Sequence, residues 1–157
     1  MKKYIVIQGP VATRSGYGDH TRDIVHSLIA MDKYDIDIIS LPWGQCPMDA
    51  LNVSNEKDQL IINRLAKGNI TRQPDIFIQV SVPNEFCIDR NNKPMKPGKF
   101  NIGITAGIET NQVPPSFIEG CNRMDLIIAT SEHTKAGLVS TVYDRINNQT
   151  QQKEGDL

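Results

Sequence analysis

Short apolar runs alternate with amphipathic segments along most of the chain. Five runs have the length of a strand and are bounded by polar residues, glycine or proline; they span 4–8, 35–40, 76–80, 100–105 and 126–130. Apolar residues at helical spacing between these runs predict helices over 21–31, 56–66, 114–122 and 132–143. The alternation predicts an α/β, Rossmann-like fold, with a mostly parallel sheet of about five or more strands and helices on both faces.

The same pattern divides the chain into one domain and a tail. Residues 1–146 form the predicted domain, which is large enough to bury a core. The first strand, 4–8, is expected at the centre of the sheet, and 35–40, which alternates polar and apolar residues, nearer an edge. Residues 147–157 are polar and are expected to be disordered or to begin a linker.

Charge and cysteine content narrow the function classes. The net charge of −1 lacks the basic footprint typical of a protein that binds nucleic acid or an anionic membrane, so neither partner is expected. No run approaches the roughly 18 apolar residues of a membrane span. The cysteines are too far apart for a disulfide framework or a zinc motif: Cys46, Cys87 and Cys121. A reducing, cytoplasmic location and no metal are therefore expected. A local basic patch would need three cations to converge: Arg14, Arg22 and Lys135.

The glycine-bearing run after the first strand is the strongest functional signal. In parallel α/β sheets the ligand crevice lies at the carboxyl ends of the strands, where this run falls. Its glycines allow close approach of a ligand, and the following helix start offers unpaired N–H groups. It is therefore a candidate phosphate or sugar site, the alternative being a tight turn without a ligand; it is neither G-x-G-x-x-G nor a P-loop. The candidate binding residues are Arg14, Ser15, Gly16, Tyr17, Gly18 and His20.

Other predicted crevice loops carry further candidates. Glu109 can accept hydrogen bonds from sugar hydroxyls or act as a base if its pKa is raised, the alternative being a solvated glutamate. Trp43 can stack on a sugar or a base, or pack as a lid. Ser131 can cap the last helix, and His133 faces the crevice if that turn is tight. Without a G-x-S-x-G elbow, hydrolase chemistry receives little weight.

Three segments together resemble the N-terminal half of GT-B glycosyltransferases of the family-4 type, in their phage and bacterial forms. They are Gly9–Asp19, Asn101–Thr110 and Met124–Lys135. The run D-L-I-I-A-T-S at 125–131 is similar to the strand and helix start that close the first domain in this family. The resemblance extends from residue 1 to about residue 145.

This resemblance implies two Rossmann-like domains that face a cleft, the first binding mainly the acceptor and the second mainly the nucleotide-sugar. The chain would be the acceptor-side half of a retaining enzyme with no obligatory metal and no cofactor besides the nucleotide-sugar substrate. A C-terminal donor-binding domain, in cis or in trans, would be needed for activity, because both reactants must be held across the cleft.

The resemblance also assigns roles by position. The loop 16–18 would line the cleft near the donor phosphates, and Ser131 and His133 would lie at its floor. Glu109, the expected catalytic residue, and Thr110 would contact the acceptor or the transferred sugar, although many members carry histidine in that loop. The alternatives are a non-catalytic Rossmann-like binding or interaction domain and a phage-type glucosyltransferase of modified DNA, which the near-neutral charge disfavours.

Overall fold

Five parallel strands form one sheet in the computed structural model, which describes residues 2–108, 110–147 and 149–156. The strands are β1 (Lys3–Gly9), β2 (Tyr34–Ser40), β3 (Ile76–Val80), β4 (Phe100–Thr105) and β5 (Leu126–Ala129). Their order is β2-β1-β3-β4-β5, and every neighbouring pair is parallel. The predicted α/β, Rossmann-like class is confirmed, with β1 inside the sheet and β2 at an edge.

Four helices connect the strands, and two of them differ from prediction in ways that shape the site. They are α1 (Gly16–Ala30), α2 (Glu56–Ile62), α3 (Pro115–Asn122) and α4 (Glu132–Ser140). The predicted start of α1 at residue 21 is wrong, because Ser15 Oγ accepts the Gly18 N–H (3.0 Å) and caps a helix that begins at Gly16. The predicted end of α2 at residue 66 is also wrong, because residues 64–66 pair with Ile38 on the outer edge of β2. The last helix ends at Ser140, before the predicted residue 143.

The main core lies on one side of the sheet, here called the first face. Ile5 and Ile7 of β1 are register partners of Ile36 and Ile38 of β2, and this surface packs against α1 and α2. Because side chains alternate along a strand, the intervening residues point to the opposite side, the second face. A smaller buried cluster lies there: Tyr4, Val6, Phe77 and Cys87.

The second face is covered in two different ways. Over β4 and β5 it is covered by α3 and a short 3₁₀ turn, Pro83–Glu85. The helix α3 lies so close to the 3₁₀ turn that a Cβ on Gly120 would be 1.8 Å from the Pro83 carbonyl oxygen. Over β1, β2 and β3 only the irregular segments 66–74 and 87–97 flank it, and they leave a groove between them.

A hairpin occupies the region of the expected polar tail. It consists of β6 (Asp144–Ile146) and β7 (Lys153–Asp156), paired antiparallel. The Lys153 ammonium is ion-paired with Asp144 on the opposite strand (2.6 Å) and with Asp156 on its own strand (2.7 Å). Of the described residues, none belongs to a helix with the length and apolar character required to cross a membrane.

Candidate functional site

The sheet order places a crevice at the carboxyl end of β1. The chain leaves β1 for β2 on one side and later returns to β3 on the other, so connections depart in opposite directions at this point. Such a reversal leaves a crevice outside the strand ends, which is where open α/β sheets bind ligands. The loop 10–15 and the segment 106–113 follow β1 and β4 at this edge.

The loop between β1 and α1 is held in one shape by a nearly buried guanidinium. Arg22, whose side chain is 16% exposed, donates from Nη1 to the carbonyl oxygens of Val11 (2.7 Å) and Thr13 (3.0 Å), and it is ion-paired with Asp19. The Thr13 hydroxyl donates to the Pro10 carbonyl (2.9 Å). The loop is therefore pre-organised, which lowers the entropy cost of binding. Sequence reasoning considered Arg22 only for a surface patch, although it lies one helical turn after Gly18.

The two glycines at the start of α1 have different roles. A Cβ on Gly18 would lie 2.3 Å from the Thr13 carbonyl oxygen and 3.0 Å from that of Pro10, so this glycine permits the helix to touch the loop. A Cβ on Gly16 would meet nothing within 4 Å. Gly16 therefore leaves open space beside the helix start, where a ligand can approach the backbone.

Tyr17 connects three parts of this edge. Its ring stacks on Trp43, with centroids 4.3 Å apart and planes inclined by 25°. Its hydroxyl accepts the Ala106 N–H (3.1 Å) and lies 3.1 Å from Thr105 Oγ1. The structure thus brings together the start of α1, the loop after β2 and the end of β4. Thr105 was missed by sequence reasoning, and the available signal was its place as the last residue of a strand.

The start of α4 adjoins the end of β4. Gly107 has a φ of +53°, and a Cβ on it would lie 2.4 Å from the Thr134 side chain. Ser131 Oγ accepts the Thr134 N–H (3.1 Å), so Ser131 caps α4, as the structural alternative predicts. Thr110 and the exposed His133 line a small depression together with Gly107.

The remaining predicted site residues are Arg14, His20 and Glu109. The exposed Arg14 is ion-paired with Asp49 (2.7 Å), and this hydrogen bond lowers the pKa of the Asp49 carboxyl. His20 is half-buried, and its side chain makes no hydrogen bond or ion pair to any residue that the structure describes. Glu109 lies outside the described residues, so its catalytic role stays a prediction.

The three cations of the possible basic patch are each neutralised locally. Arg14 pairs with Asp49, and Arg22 pairs with Asp19. Lys135 lies 3.6 Å from Glu132 on the same helix. Because each cation has its own acidic partner, the three do not form a shared basic patch.

One carboxylate at this edge was not singled out from the sequence. Ser81, fully buried directly after β3, donates its hydroxyl to Glu85 Oε2. The Glu85 carbonyl oxygen accepts from the Gln79 side chain (2.9 Å), which fixes the turn that carries the carboxylate. Its position in a loop that follows a central strand is the signal that could have identified it.

The described part of the crevice offers hydroxyls, an aromatic pair and backbone N–H groups. Over the described ranges, no three histidine, cysteine, aspartate or glutamate side chains come together as a potential metal-ligand set. No protein-family model, curated protein or solved structure matches this chain.

Proposed function

We propose that this chain binds a sugar in the crevice at the carboxyl edge of its sheet, as the acceptor-side half of a nucleotide-sugar-dependent glycosyltransferase. The observation that carries the proposal is the stacked pair of Tyr17 and Trp43 beside the open backbone at Gly16. An indole presents a large, rigid apolar surface at low entropy cost, which suits the C–H face of a pyranose ring.

The polar groups around the pair suit the remaining surface of a sugar. The Tyr17 hydroxyl fixes the ring against β4, so the platform does not need to be ordered when a ligand arrives. At the start of α1, Ser15 accepts the Gly18 N–H through its hydroxyl and the Asp19 N–H through its carbonyl. The N–H groups of Gly16 and Tyr17 belong to the first turn, which has no intrahelical acceptor for them. Such groups favour an anion, such as a donor phosphate, when it approaches this edge.

Transfer would take place between this domain and a donor-binding domain, in the same polypeptide or in a separate one. The two domains together would hold the acceptor hydroxyl against the anomeric carbon of the donor sugar. The donor and the acceptor would then react within one complex, without having to meet in solution. Glu109, which follows β4 in the sequence, would accept hydrogen bonds from the acceptor or the transferred sugar. This is the role that the family resemblance implies for it.

Trp43 is the only tryptophan of the chain, so tryptophan fluorescence, excited at wavelengths that tyrosine does not absorb, reports on the crevice. The experiment titrates the 157-residue chain with glucose, N-acetylglucosamine, mannose, maltose, UDP-glucose and GDP-mannose. At least one saccharide or nucleotide-sugar is expected to change the intensity or wavelength of the emission in a saturable way. The control variants are Gly16→Val and Gly68→Val, since a Cβ meets nothing within 4 Å at either position.

Gly16→Val is expected to abolish the response, because the side chain fills the approach to the helix start. Gly68→Val, outside the crevice, is expected to keep it. A flat titration with the whole panel, supported by unchanged amide resonances of residues 14–17 and 105–108, would show the proposal to be wrong. An equal response of the two variants would show that the sugar binds elsewhere.

A further inference from the structure

A second cavity lies on the other side of the sheet, away from the Tyr17–Trp43 pair. It is a groove of about 580 Å³ on the second face, between the segments 66–74 and 87–97. This size falls within the roughly 300–1,000 Å³ typical of small-molecule sites. The groove exists because irregular segments, in place of a helix, flank this part of the sheet.

The lower part of the groove is apolar, and two glutamine amides lie above it. Val6 and Phe77 form its bottom and are nearly fully buried, at 1% and 3% exposure. The half-buried Ile39 and the exposed Met95 supply apolar surface at its sides. Gln8 and Gln79 are register partners near the carboxyl ends of β1 and β3, at one end of the groove. Gln79 is engaged, since its amide accepts the Cys87 N–H and donates to Glu85 O, both at 2.9 Å. Gln8 has no side-chain hydrogen bond within the described residues and therefore offers a donor and an acceptor to a ligand.

The walls of the groove carry positive charge. Two of the residues that line it are arginines, Arg72 and Arg90, and none is acidic. The Arg72 guanidinium stacks on the Tyr4 ring, 4.1 Å from the centroid, which leaves its N–H edge available. A neighbouring carboxylate, Asp75, forms its ion pair with Lys99 (2.7 Å). Arg90 is exposed and has no hydrogen bond or ion pair to the part of the chain that the structure describes.

We propose that this groove binds a small organic anion with a flat apolar body and a terminal phosphate or carboxylate. The apolar body would lie between Ile39 and Met95, and Gln8 would form a hydrogen bond with a polar atom of that body. Arg72 and Arg90 would hold the anionic group. Guanidinium groups bind planar carboxylates and phosphates through paired N–H donors, and this surface supplies two of them above an apolar floor. The site is separate from the sugar crevice and does not depend on the proposed transferase function.

The experiment uses 1-naphthyl phosphate and 1-naphthoate as probes. The controls are 1-naphthol, which has the apolar ring without an anionic group, and inorganic phosphate, which has the anionic group without the ring. Binding is followed by NMR through the side-chain amide of Gln8 and the Nε–H resonances of the arginines. Each naphthyl anion is expected to bind at least tenfold more tightly than 1-naphthol or inorganic phosphate. The tighter of the two anions identifies the acidic group. Higher salt is expected to weaken both, since the charges are near the surface.

Three variants and one control, Arg145→Gln, test where the ligand binds. Arg72→Gln and Arg90→Gln are each expected to weaken binding at least fivefold, whereas Arg145→Gln, at an exposed arginine outside the groove, leaves it unchanged. Gly68→Phe adds a ring at a position on the groove wall with nothing within 4 Å of its Cβ, and is expected to block binding. Urea unfolding midpoints verify that the variants are folded.

The absence of a shift at Gln8, equal affinity for 1-naphthol, or full binding by Arg72→Gln and Arg90→Gln would each overturn the proposal. The sugar crevice supplies an independent control. Gly16→Val is expected to retain the naphthyl anion and lose the saccharide response, and Gly68→Phe to do the reverse, so failure of one site is distinguishable from failure of the other.

Discussion

The two glycines at the start of α1 allow a matched test of packing between this helix and the loop that precedes it. Gly16 and Gly18 lie in the same helical turn and receive the same substitution, alanine. At Gly16 the new methyl group meets nothing within 4 Å. Reduced freedom of the unfolded chain then gives a gain of about 0.5–1 kcal/mol.

At Gly18 the same gain is outweighed by contact with the loop. The new Cβ would lie 2.3 Å from the Thr13 carbonyl oxygen, which is backbone and is itself held by Arg22 (3.0 Å). Forcing an extra carbon into such packing costs about 1–3 kcal/mol. Displacing the Thr13 carbonyl also weakens a hydrogen bond from a charged donor, worth about 1.5–3 kcal/mol. We therefore expect Gly18→Ala to be less stable than Gly16→Ala by about 3 kcal/mol.

Circular dichroism during thermal and urea unfolding measures this difference. For a chain of this size, about 3 kcal/mol corresponds to a separation in Tm of about 6–12 °C. The urea m-values should agree between the variants, so that the midpoints report stability alone. Equal midpoints, or a lower midpoint for Gly16→Ala, would refute the assignment of Gly18 to packing and of Gly16 to open space.

Two further predictions concern titration and thiol reactivity. Hydrogen bonds from the Asn101 side chain and backbone lower the pKa of Asp125, so its stabilisation is present above the unfolded pKa of about 3.9 and is lost as the pH falls through the folded value. Asp125→Asn should therefore flatten the fall of the urea midpoint below about pH 4, and parallel curves for variant and parent would contradict this. Burial raises the pKa of the Cys87 thiol to about 11, which leaves about one thiolate in a thousand at pH 8. Iodoacetamide at pH 8, followed by peptide mass spectrometry, should modify the more accessible Cys46 first, and equal rates would count against the buried position of Cys87.

The strands could be predicted from the sequence because their signals are local. The apolar runs at 76–80 and 100–105 have clear polar or proline boundaries, and the structure confirms both ranges. The helix boundaries depended on tertiary contacts. The low helix propensity of Gly16 and Gly18 favours a loop, but the cap at Ser15 and the close approach to Thr13 select a helix there.

The candidate site was predicted only in part, because some of its features have local sequence signals and others depend on tertiary contacts. Its position after β1 follows from fold class and from the glycines, both of which are visible in the sequence. The contact of Tyr17 with Thr105 joins residues 88 positions apart, and no local pattern indicates it. The groove on the second face was not predicted at all, since it depends on how two irregular segments lie over the sheet.

The position of β1 between β2 and β3 also determines when this strand becomes fully paired during synthesis. One edge of β1 pairs with β2, but the other pairs with β3, which follows after about 70 further residues. At a translation rate of about 5–20 residues per second, the nascent chain carries this strand with one open edge for about 4–14 seconds. Over that interval a partly made chain presents an unpaired, apolar strand to its surroundings, a template for association with other chains. The edge of β1 that pairs with β3 is therefore open until residues 76–80 have been made.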